Sequence, residues 1–76
     1  MKDLLMAVAK QMVDHPDQVH VSEQQGEETT LFLLSVAKQD FGKIIGKKGK
    51  NINAIRTIMG AAAAKVHKRV IVEVKE

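Results

Sequence analysis

The sequence predicts an α+β fold in the order α-β-β-α-α-β, with a three-stranded sheet and three helices packed on one of its faces. Three features point there. Apolar residues recur at helical spacing near the start of the chain and again in its second half. Three other segments are β-branched or alternate at period two, and a glycine-flanked break separates two helical stretches. Residues 1–76 read as a single domain without linker, repeat or low-complexity segment, and a chain of this length buries only a modest core.

The first helix is expected over residues 3–14, where Leu4, Leu5, Val8, Met12 and Val13 form one face and Lys10, Gln11 and Asp14 the other. Asp3 suits its N-cap, and Pro16 ends it by biasing His15 away from helical angles. Val19 to Glu23 alternates as a strand, and the polar segment Gln24 to Glu28, with Gly26 at its centre, reads as a hairpin connection. Thr29 to Ala37 is apolar on both faces, as a central strand would be. Leu31 and Leu33 fall on one face, Phe32 and Leu34 on the other, which is apolar surface enough for a dimer interface. Asp40 is placed to cap a short helix, Phe41 to Ile45. A longer helix follows over residues 50–64, with Ile52, Ile55 and Ile58 as core positions. Gly60 weakens it by about 1 kcal/mol relative to alanine, which points to another element packed closely there. Val70, Val72 and Val74 alternate with Ile71, Glu73 and Lys75 in a closing, half-buried strand.

Composition narrows the chemistry. The chain has no cysteine, hence no disulfide, thiolate zinc site or thiol redox centre. His15, His20 and His67 lack metal-ligand spacing, and no nucleophile–base pair or carboxylate pair stands out, so neither a metal, a cofactor nor an enzymatic activity is expected. The start lacks the basic flank and long apolar run of a signal peptide, and no stretch approaches membrane-spanning length, so a cytoplasmic protein is expected.

Charge is distributed unevenly. Up to Asp40, three lysines face seven acids; from Phe41 to Val72 there is no Asp or Glu, while Lys43, Lys47, Lys48, Lys50, Arg56, Lys65, Lys68 and Arg69 all fall there. Such a one-signed field attracts a polyanion. Its focus is the stretch Asp40 to Arg56. Gly46 and Gly49 permit positive φ and close approach of another backbone, and the helix after them begins at Lys50 or Asn51 with free N–H groups facing the loop. A helix N-terminus favours phosphate, and Lys47 and Lys48 at the tip, flanked by Lys43 and Lys50, add mobile cations. Ile44 and Ile45, one inward and one toward the groove, form an apolar wall with Ile52 and Ile55; Arg56 is within reach of a second phosphate or a base edge. Lys65, Lys68 and Arg69 fit a solvated helix end slightly better than an extension of the basic surface. A nucleoside-triphosphate loop is excluded, because Lys50-Asn51 offers no magnesium-binding hydroxyl.

The string Ile44-Ile45-Gly46-Lys47-Lys48-Gly49, followed by Ile52 and by Ala54-Ile55-Arg56, closely resembles the KH-domain signature, whose GXXG loop clamps about four nucleotides of backbone. The element order resembles the type II arrangement of that domain, and the whole chain resembles the KhpA family of small bacterial single-KH proteins. The resemblance implies cytoplasmic binding of single-stranded RNA, an RNA-chaperone role, and pairing either with itself or with KhpB, a larger KH-containing RNA-binding protein. It further implies, in some bacteria, a link to cell shape and cell-wall growth. Gly46, Lys47, Lys48 and Gly49 are the expected grip, with Lys43, Ile44, Ile45, Lys50, Asn51 and Arg56 as further RNA-binding residues. The competing reading is a protein-interaction module in which RNA binding is incidental or lost.

Overall fold

A computed structural model describes the whole chain, Met1–Glu76. Helix α1 spans Lys2–Met12, strand β1 His20–Gln25, strand β2 Thr29–Ser35, helix α2 Phe41–Ile45, helix α3 Lys50–Ala64 and strand β3 Arg69–Lys75, with short 3₁₀ turns at Pro16–Gln18, Lys38–Asp40 and Lys47–Gly49. The sheet runs β1-β2-β3, with β1 antiparallel and β3 parallel to the central β2. The parallel pair is joined by the crossover through α2 and α3, with α3 packed on β3 and α2 packed on α3.

Alternation along β2 sets the inside of the molecule. Thr30, Phe32 and Leu34 are buried, and the ladder places Val72 beside Phe32 and Val21 beside Leu34 on the same face. Helices supply the other wall: Leu5 and Ala9 from α1, Ile44 from α2, and Ile52, Ile55 and Met59 from α3. Phe32 is wholly buried at the centre, and truncating it to alanine would cost about 3–5 kcal/mol. The opposite sheet face carries no helix. Leu31 and Leu33 are half-buried there, and Ile71, paired with Leu31, is 51% exposed.

Several expectations are corrected. Helix α1 stops at Met12 because Val13 is already extended, two residues earlier than the apolar pattern implied. Met1 occupies its N-cap position; Asp3 lies in the first turn, where its charge meets the positive end of the helix. Val36 and Ala37 are buried but leave the strand to enter the 3₁₀ turn before α2. Gly60 has open space where a Cβ would sit, so no element packs against it. Ile58 is 43% exposed, because α3 buries only the stripe Ile52, Ile55, Met59 and Ala63. No helix is long and apolar enough to cross a membrane.

Candidate nucleic-acid interface

The turn between α2 and α3 is built from residues that tolerate unusual backbone angles. Gly46 ends α2 at φ 74° and ψ 171°, a conformation open essentially to glycine alone. Lys48 and Gly49 follow in the left-handed region, at φ 57° and 75°. At Gly46 a second constraint applies, because a Cβ there would lie 2.6 Å from Asn51 Cγ and 2.9 Å from the Asn51 backbone nitrogen. At Gly49 the nearest atom would be 3.7 Å away, so that glycine is required by its φ rather than by space.

The close approach of Asn51 has a purpose in the fold. Its amide donates to the Lys43 carbonyl at 2.7 Å, tying the start of α3 to an otherwise open carbonyl of α2. Gly46 N–H donates to the Gly42 carbonyl at 2.8 Å and Gly49 N–H to the Gly46 carbonyl at 3.1 Å, closing the turn on itself. Lys47 and Lys48 are thereby presented at the tip, exposed, with Lys50 behind them on the first turn of α3. None of the three is paired with a carboxylate. With no side-chain cap on α3, the positive end of a helix of 15 residues faces the same region.

The flanking residues divide by role. Ile44 is completely buried and offers no surface to a ligand, while Ile45 is half-buried beside the loop; this resolves which of the pair turns inward. Lys43 is held by the Asp14 carboxylate, whose hydrogen bond raises its ammonium above the ordinary 10.5 against the opposing effect of desolvation. The basic stretch is thus acid-free in sequence but not in space. Arg56 turns back onto the fold: its Nε and Nη2 donate to the Val72 carbonyl at 3.3 and 3.2 Å, so the guanidinium spans from α3 to β3. It remains solvent-exposed along this crease.

Asp40, expected as a helix cap, makes no capping bond and is 1% exposed. It accepts the backbone N–H groups of Asp14 at 3.2 Å and His15 at 3.0 Å, and its Oδ2 lies 3.0 Å from His15 Nδ1. Burial pushes this carboxyl up, but the hydrogen bonds from Asp14 and His15 and the adjacent imidazole outweigh it and leave Asp40 below its ordinary 3.8. The brace pins the exit of α1 to the foot of α2. No local pattern foretells it, since the partners lie 25 and 26 residues apart.

A mixed three-stranded sheet backed by three helices, with a two-lysine loop between paired glycines joining α2 to α3, defines a type II KH domain. Residues 2–74 match the family model described as the KhpA/KhpB KH domain, and the chain belongs to that family. It is 53% identical over 74 residues to the RNA-binding protein KhpA of Clostridium acetobutylicum, covering 97% of this chain and 99% of that one. It is 46% identical over 76 residues to the RNA-binding protein KhpA of Chlamydia caviae, covering 100% and 97%. Identity to the RNA-binding protein KhpA of Aquifex aeolicus is 42% over 76 residues, covering 100% and 96%. No solved structure matches the chain.

Proposed function

We propose that this chain binds single-stranded RNA by its sugar–phosphate backbone at Gly46-Lys47-Lys48-Gly49. The observation that carries the reading is the loop itself: two positive-φ glycines and a left-handed lysine hold unpaired Lys47 and Lys48 at the mouth of an uncapped helix. Relatives of nearly equal length that carry the name RNA-binding protein support it. Lys47, Lys48 and Lys50 serve as mobile phosphate contacts, Ile45 and Arg56 as the surface beside them that a base meets, and Lys43 joins them by exchanging Asp14 for a phosphate. Asn51 positions the loop. Without an aromatic platform next to the loop, sequence tolerance is broad, as suits an RNA chaperone in the cytoplasm.

The test is fluorescence anisotropy with a short single-stranded RNA, wild type beside Lys47→Asp/Lys48→Asp. Asp is tolerated in the left-handed region that Lys48 occupies, so the variant keeps its fold. Binding disappears in the variant and falls steeply with salt in the wild type. Equal affinity of a folded double variant would refute the grip.

A second, compatible role is protein association, favoured by Ile58 at 43% and Ile71 at 51% exposure. Pairing with a second copy, or with a larger KhpB-like partner through which it influences cell shape and cell-wall growth, would present two loops to one RNA and add avidity. Light scattering on the isolated chain tests self-association: a monomer at every concentration would remove the homodimer.

A further inference from the structure

Helix α3 has a second unusual end. Lys68 N–H donates to the Ala63 carbonyl at 3.0 Å and His67 N–H to the Ala64 carbonyl at 3.1 Å, a paired closure that places His67 in the left-handed region at φ 56°. Glycine is the usual occupant of that position, since a side chain there is strained. Around this histidine stand Lys65, Lys68 and Arg69, none of them ion-paired. The lack of pairing is informative at Arg69, whose N–H donates to the Glu28 carbonyl at 2.9 Å and so brings the acidic hairpin turn alongside. Val66, between them, is 57% exposed. A helix C-terminus favours a cation, which accounts for Lys65 and suits His67, but the effect fades within a turn and does not account for Lys68 and Arg69 beyond it.

We propose that the turn Lys65–Arg69 is a second RNA contact, in which the three cations meet phosphates and His67 with Val66 receives a base. The proposal rests on the RNA-binding reading above and extends it to strands longer than the grip loop alone can hold. Phe32 is buried and Phe41 half-buried, so exposed histidines supply the ring surface on which a base can stack. The two contacts lie at opposite ends of α3, whose 15 residues span about 22 Å. Arg56 lies between them, against β3. A four-nucleotide segment in the grip leaves the far turn empty, whereas a longer strand following the helix engages both.

The experiment compares oligouridylates of about 5 and 15 nucleotides, titrated at low salt by NMR and fluorescence anisotropy. Four proteins are used: wild type, Lys65→Ala/Lys68→Ala, a charge-matched control Lys2→Ala/Lys10→Ala on α1, and His67→Gly. The Lys65/Lys68 pair should weaken the long strand by about tenfold, lower its salt slope by about 0.7 for each phosphate no longer neutralised, and leave the short strand within twofold. The control should change neither. His67→Gly should raise Tm while weakening the long strand, whereas a purely structural histidine would give no loss of binding. The proposal is overturned if the long strand binds the Lys65/Lys68 variant as tightly as wild type, or weakens no more than with the α1 control. Wild type that binds neither strand would overturn the RNA reading itself, and with it this extension.

Discussion

The two ends of α3 turn the chain through positive φ with different residues. At the N-terminal end the positions are Gly46, Lys48 and Gly49; at the C-terminal end a single His67 does the same at φ 56°. The difference follows from what surrounds each. Gly46 is pressed against Asn51, so both its angles and its lack of Cβ are needed. Gly49 has room, and His67 is exposed, so only the left-handed angle has to be tolerated there. Angle alone is a strain that an exposed side chain can tolerate; angle plus close approach excludes every side chain.

Substitutions at the two ends test this contrast. Gly46→Ala should have the largest effect, about 3 kcal/mol, because a strained conformation and a clash add; chemical denaturation measures it, and RNA binding should fall with it. Asp40→Ala comes next. It leaves the backbone N–H groups of Asp14 and His15 without their buried acceptor and should lower Tm by roughly 10 °C. Gly49→Ala should cost about 1 kcal/mol, the left-handed penalty alone. If the two glycine variants were equally damaging, the close approach of Asn51 would not matter. Smallest, and opposite in sign, is His67→Gly, which should stabilise by about 0.5 kcal/mol after the added freedom of the unfolded glycine is counted.

Acid provides a separate check on the Asp40 brace. Its carboxyl sits below 3.8, so the unfolded chain takes up that proton first as pH falls. The brace therefore contributes its full stability above the ordinary value and loses it progressively as pH drops through the depressed one. A plot of Tm against pH should steepen below about pH 4, and Asp40→Asn should flatten that step. An unchanged profile would show that the carboxylate is not held in its charged form.

Much of this architecture is legible in local pattern. The boundaries of α2 and α3 coincide with those expected, because the glycines and the apolar spacing that set them act within a turn or two; Asp40 stands at the N-cap position of α2 but makes no capping bond there. Legibility fails where two faces compete. Ile58 continues the apolar series of α3 yet is exposed, since the sheet covers only one stripe of that helix. Gly60 reads as a packing site but adjoins open space. Lys43 and Arg56 read as free cations, and each is engaged by a group distant in sequence, Asp14 or the Val72 carbonyl.

Local pattern was enough to set the order of elements, the central place of β2, the paired glycines and the one-signed charge of residues 41–72, because propensity, periodicity and charge are properties of neighbouring residues. Packing alone settled which isoleucine of Ile44-Ile45 is buried, that Asn51 rather than open solvent adjoins Gly46, that Asp40 braces His15, and that Arg56 closes onto β3. Those outcomes depend on which surfaces the crossover brings within hydrogen-bonding distance, and that distance is set by how the helices pack on the sheet.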